Sequence, residues 1–247
     1  VKHHASSASN NPQQALFSQN RITAFGKREK GTDLTGAIDY QRNVVHYYGY
    51  LVDTPSLELG DINQIYNDIN AGLEWEFDER NYDGNLAFDF NLFDKLGENE
   101  TTIDLQNANA FKAGNGRFHL DLGALYTQLN EATDLSRLFI DVTPHMEFKY
   151  NKFRFDLGLN GNYALRTDTA STSNFRVFPH LKAETFLIPD KLRAYAGISG
   201  GLNPNTLRSM SYDNLFLGNN LTYENTATLF NIFFGMNGSF KRFVEYG

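Results

Sequence analysis

From Leu138 to Tyr150 the chain sets Leu138, Ile140, Val142, Pro144, Met146, Phe148 and Tyr150 on one side. Phe139, Asp141, Thr143, His145, Glu147 and Lys149 fall on the other. Side chains of an extended strand point alternately to opposite faces, so this run reads as one long strand, oily on one face and charged on the other. After Asn151-Lys152 the alternation resumes, with Phe153, Phe155, Leu157, Leu159 and Tyr163 against Arg154, Asp156, Asn160 and Asn162. A two-residue loop makes Tyr150 and Phe153 cross-strand partners, which joins both apolar sets into one face of a hairpin. No segment with a 3.6-residue apolar period is at hand to cover that face.

The same period recurs through most of the chain. Leu73, Trp75 and Phe77 alternate with Glu74 and Glu76; Leu86, Phe88, Phe90 and Leu92 with Ala87, Asp89 and Asn91; Phe118, Leu120 and Leu122 with His119 and Asp121. Eleven strands are predicted, at 15–27, 33–50, 68–78, 84–93, 101–111, 117–129, 137–150, 153–166, 175–188, 192–203 and 223–240, with a twelfth beginning at Phe243. No helix longer than a turn is expected. Pro144 and Pro179 fall inside strands, where each removes a ladder donor, so a bulge or kink is expected at both. Every second connection is short (Arg80–Asp83, Lys112–Gly116, Asn151-Lys152, Pro189–Lys191, Lys241-Arg242). The interleaved ones at 51–67, 94–100, 130–136, 167–174 and 204–222 read as longer and more polar.

Strands of this length, set against a usual five or six residues in soluble sheets, match the roughly 9–11 residues a tilted strand needs to cross a bilayer. Short turns on one side and long loops on the other, with aromatic residues gathered beside the turns, are the pattern of an outer-membrane barrel. The expected fold class is therefore all-β: an antiparallel up-and-down transmembrane β-barrel with about 12 strands visible, complete or part of a larger barrel. Its apolar face is expected to meet lipid and its polar face the lumen. A soluble β-barrel binding protein is the alternative, with the faces reversed. The mean hydropathy of −0.45 and the interrupted cluster Phe230–Met236 argue against membrane helices. A net charge of −7 argues against nucleic acid as a partner, and the absence of cysteine excludes disulfides and thiolate sites.

Two segments carry a family resemblance. "PHMEFKYNKFRFDLGLNG" begins at Pro144, and "FPHLKAETFLIPDKLRAYAGISGGLNPNTLRSMSYDNLFL" begins at Phe178. Their texture resembles the barrels of Bacteroidetes-type outer-membrane proteins, described as TonB-dependent-receptor-like. The resemblance covers about the last 110 residues and implies the outer membrane of a Gram-negative bacterium. No plug domain or TonB box is seen, and such receptors have 22 strands. Residues 1–14 are expected to be a polar tail or loop, and 15–247 a barrel incomplete at its ends. The functions implied are passage of a polar solute, TonB-dependent-receptor-like or porin-like, or a non-transporting structural role in an outer-membrane protein complex.

The polar face nominates Asp121, Asp141, His145, Glu147, Arg154, Asp156, His180, Lys182, Glu184 and Arg193 as lumen-facing residues. Mixed charge on a solvated face mostly forms salt bridges, and a selectivity surface is the sharper reading. His145 and His180 lie one hairpin apart and are conceivable metal ligands. A site needs three or four converging ligands, however, and the sequence fixes no others, so neither a metal nor a cofactor is expected. No G-x-S-x-G is present, and "GNGRF" and "GISGG" open no helix, so no enzyme is expected. The expected partners are outer-membrane lipid and, through Leu215, Phe216 and Leu217 of the loop 204–222, other proteins.

Overall fold

The computed structural model describes residues 2–7, 16–30, 32–46, 63–95, 97–130, 135–167, 172–189, 191–214, 223–240 and 244–246. The first seven strands are β1 (Lys2–Ser7), β2 (Leu16–Lys30), β3 (Thr32–His46), β4 (Asn63–Glu79), β5 (Tyr82–Lys95), β6 (Glu98–Ala113) and β7 (Gly116–Asn130). They continue into β8 (Leu135–Tyr150), β9 (Phe153–Thr167), β10 (Thr172–Ile188) and β11 (Leu192–Asn203). Helix α1 (Leu207–Asp213) follows, then β12 (Thr226–Phe240) and β13 (Val244–Tyr246). The 13 strands among the described residues form one sheet, each paired antiparallel with its neighbours in sequence. Among the described residues β1 and β13 are not paired with each other, so the sheet is not closed. No helix among the described residues is long and apolar enough to cross a membrane.

The predicted hairpin is present in the predicted register, with Tyr150 opposite Phe153. Asn151 takes φ 54°, a left-handed conformation that asparagine tolerates better than most residues. The alternation holds strand after strand. Leu73, Phe88, Leu122, Ile140, Val142 and Leu157 are all exposed on one face, with Phe234 84 % exposed. Trp75, Phe111, Phe118, Tyr150 and Phe153 form an exposed aromatic band near the short turns. Two polar residues on this face, Asn107 and Asn109, are tied up: the Tyr82 hydroxyl donates to Asn109 at 2.7 Å, and Asn109 donates to Asn107.

The opposite face is concave. Segment 205–213, which includes α1, bonds Asp68 of β4, Glu100 of β6 and Arg137 of β8. Strands β4 and β8 are four ladder spacings apart, roughly 19 Å in a flat sheet. A seven-residue helix is about 10 Å long. One short segment reaches all three strands because the sheet wraps around it.

Several expectations are revised. Lys2–Ser7, within the stretch read as a tail or loop, is strand β1 and pairs with β2. The expected long connection at 94–100 shrinks to residues 96–97, with Gly97 at φ 88°, because Lys95 and Glu98 already pair. Loop lengths are therefore less segregated than the polarity of that stretch implied. Helix α1 is two turns where none was expected. Pro144 and Pro179 cause no register shift. At Pro144 the β8–β9 pairing skips from Val142↔Gly161 to His145↔Gly158 with the register intact. At Pro179 the β10–β11 ladder starts only at His180↔Ser199, and β11 leans inward until the Leu202 amide reaches Asn162 of β9 at 2.8 Å. Register shifts lie elsewhere, between Phe186 and Ile188 in the β10–β11 ladder and between β11 and β12, where Gly200 faces Leu229 and Phe230. A Cβ on Gly200 would meet the Leu229 carbonyl at 2.7 Å, so glycine is needed there.

Candidate functional site: the concave face

The concave face is organised in three levels. Nearest the short turns is an ion network. Arg154 approaches Glu184 at 3.1 Å and Glu147 at 3.6 Å. Lys182 and Arg193 approach the other Glu184 oxygen at 3.4 and 3.5 Å. Glu184 is buried among three cations, and Arg193 also donates to Asn237 at 3.0 Å. Strand pairing builds this level: Glu147, Arg154, Glu184 and Arg193 sit within a few residues of two consecutive turns on adjacent strands.

One level further in lies a row of imidazoles. His119 of β7 and His145 of β8 are register partners, with rings stacked at 4.5 Å. His145 and His180 are both opposite Gly158 of β9, and their rings approach to 4.7 Å across it. A Cβ on Gly158 would lie 2.4 Å from the His145 Cβ, so the missing side chain is what lets the two rings meet. Carboxylates flank the row. Asp156 contacts His145 Nδ1 at 2.6 Å and His180 Nε2 at 3.3 Å, and Asp121 contacts His145 Nε2 at 3.3 Å. Asp141 lies beside Asp121 in the next row, its carboxylate leaning into the space that a Cβ on Gly123 would take.

The third level, at the loop end, is dry. Thr206 caps α1 by accepting from the Ser209 amide at 3.0 Å, and the Ser209 hydroxyl accepts from the Thr206 amide at 2.9 Å. The first-turn amides of Leu207 and Arg208 donate to the Glu100 carboxylate at 2.8 and 3.1 Å. That carboxylate sits at the positive end of the helix, where free N–H groups favour an anion. Arg137 donates to the Asn205 carbonyl at 2.6 Å, to Thr127 at 3.2 Å, and lies 3.9 Å from Glu100. Further along the helix, Arg208 and the Tyr212 hydroxyl both donate to Asp68, at 2.9 and 2.6 Å. Burial first, and then this bond to Asp68, push the Tyr212 phenol above its ordinary pKa. Leu207 is fully buried and joins Val45, Tyr66, Phe93, Leu129, Leu135 and Tyr223 in one apolar cluster. A cleft of about 360 Å³ remains beside it, bordered by Arg166, Arg176, Leu202 and Glu224.

All ten nominated residues sit on strand positions that alternate with the exposed apolar set. The structure brings Asp121, His145, Asp156 and His180 together, and gathers Glu147, Arg154, Lys182, Glu184 and Arg193 separately. Sequence reasoning missed Asp68, Glu100, Arg137 and the docking of α1. Glu100 was read as loop, and its partner Arg208 lies 108 residues away. The local signal was Thr206-x-x-Ser209 after Pro204-Asn205, a helix-start pattern inside a segment read as a loop. Leu215, Phe216 and Leu217 lie outside the described residues.

This architecture has a solved counterpart. The structure is similar to the crystal structure of the ferric yersiniabactin uptake receptor FyuA from Yersinia pestis, with a TM-score of 0.60 and 11 % identity. The match covers 97 % of this chain and 46 % of that one, so this chain spans less than half the length of that receptor. At that identity the likeness is one of fold: an antiparallel up-and-down sheet of barrel type. No protein-family model matches the sequence, and no curated protein does.

Proposed function

We propose that this chain is the barrel wall of a TonB-dependent-receptor-like protein of the Gram-negative outer membrane, and that a polar solute passes along its concave face. The observation that carries this reading is the division of the sheet. A charge placed on an outer face in lipid costs roughly 2–4 kcal/mol at the midplane. The exposed face is apolar across its long central rows, whereas the acids, bases and imidazoles line the other. An exposed apolar surface this extensive is unfavourable in water and suits hydrocarbon. The likeness to an uptake receptor supports a transport barrel over an enzyme. Open strand edges are not viable in lipid, so the outer edges of β1 and β13 are each expected to be paired in the membrane.

The full-length protein carrying this sequence is expected in the outer-membrane fraction, extractable only with detergent, and is expected to conduct ions in planar bilayers. Recovery in the aqueous fraction without detergent would overturn the membrane reading. The packed core around α1 narrows the loop end and favours a second reading, a non-transporting subunit of an outer-membrane complex. Electrical silence together with co-purifying proteins after gentle extraction would select it.

A further inference from the structure

We infer that His145, His180 and Asp156 form a binding site for a divalent transition-metal ion of the zinc, nickel and copper class. One ligand atom from each of the three lies within 4.8 Å of the others. Ligands held about 2.0–2.1 Å from a tetrahedral ion are roughly 3.3 Å apart. The His180 Nε2 contact, to one Asp156 oxygen, already has that length, 3.3 Å, whereas His145 Nδ1 lies 2.6 Å from the other oxygen, so the carboxylate has to turn to present one oxygen to both rings. The three side chains converge from β8, β9 and β10 because Gly158 leaves the space between them empty.

Two features point to a cation. The first is proton supply. His145 has a carboxylate against each ring nitrogen, Asp156 at Nδ1 and Asp121 at Nε2. A neutral imidazole has one N–H and satisfies only one of them. Among the described residues, no lysine or arginine pairs with Asp121 or Asp156, although the level nearer the turns has three cations on Glu184. A metal ion on Nδ1 leaves the Nε2 N–H for Asp121, so both carboxylates find a partner. The second feature is independent of those contacts. The Nε2 of His119, stacked on His145 in the same row, is buried with no hydrogen-bond partner among the described residues. A buried polar atom without a partner is costly, so the row keeps an imidazole nitrogen in want of a positive partner, although His119 stands outside the three residues whose ligand atoms converge. The donor set sorts the ions: imidazole with carboxylate suits zinc, nickel and copper, whereas calcium and magnesium prefer oxygen alone. The site holds the ion without needing transport to occur, so it stands or falls separately from the function proposed above.

The test uses the full-length protein in detergent, stripped with a chelator and titrated with ZnCl2, with CoCl2 as a spectroscopic probe. The chain has six histidines, so the informative quantity is a difference between variants. The expected result is one equivalent of Zn2+ bound by the wild type and lost in the H145Q/H180Q double variant, with Asp156→Asn, which removes a ligand, weakening binding by at least the roughly 10- to 100-fold that loss of an outer-shell partner costs. A d–d absorption band from Co2+ is expected to vanish in the double variant. A second measurement needs no variant: Zn2+ should protect His145 and His180, mapped by mass spectrometry, from diethyl pyrocarbonate. Equal binding by wild type and double variant, absence of protection, or displacement of Zn2+ by equimolar Ca2+ would each overturn the proposal.

Discussion

The two ends of the concave face obey one alternation rule and different physics. At the turn end, Glu184 is shared by three cations whose own side chains are about two-fifths exposed. At the loop end, Glu100 and Arg137 are almost wholly withdrawn from water, and each has few alternatives. Redundant, solvated charge tolerates loss; buried, unique charge does not. An inward-facing position on a strand therefore says nothing about how much a residue matters. What covers it decides, and here the cover is a helix from a distant loop.

The contrast is most exposed to failure at Glu100. Glu100→Ala leaves two helix amides without their acceptor and Arg137 without its nearest anion. Docking of α1 is expected to weaken by about 3–5 kcal/mol. Amide hydrogen exchange over 205–214 should speed accordingly while exchange in β8–β10 stays unchanged. Unchanged exchange at α1 would mean the loop end is held by something else. Leu207→Ala removes the fully buried side chain of the cluster and is expected to cost about 2–5 kcal/mol by the same readout. Tyr212 is partly exposed, so Tyr212→Phe should cost only about 1 kcal/mol. It also gives a pH signature. The folded pKa of Tyr212 is raised, so its contribution is complete below the unfolded value near 10 and is lost as pH climbs through the folded one. Protection of α1 should therefore fall above pH 10 in the wild type, and Tyr212→Phe should remove that alkaline limb. The smallest effect belongs to the turn end: Arg154→Ala should change stability by no more than about 1 kcal/mol, since Lys182 and Arg193 still neutralise Glu184. A larger loss, read by thermal unfolding in detergent, would erase the distinction between the ends.

The wall of the barrel was legible in the sequence, and its contents were not. Period two is a local property, so Ile140 with Asp141, or Leu157 with Asp156, announced their faces without help from the rest of the chain. The Tyr150↔Phe153 register followed from the turn alone. Convergence across the concavity was hidden, because it depends on curvature and on gaps. His145 and His180 were noticed as a pair, but Gly158 as the space between them and Asp156 as the third member needed the register of β8, β9 and β10. Asp68 looked like an ordinary polar residue at a strand end and Glu100 like one in a loop, since their helix arrives from 140 and 107 residues away. Strand β1 was missed because its short, histidine- and serine-rich run carries no oily alternation.

The small helix fastened to β4, β6 and, through its leading asparagine, β8 acts as a tie-rod across a hoop. Any widening that separates β4 from β8 has to break the Asp68, Glu100 or Asn205 bonds first. The circumference from β4 to β8 is thereby held at fixed radius, and deformation is left to the β9–β12 arc, where β11 has already parted from β10 at Pro179.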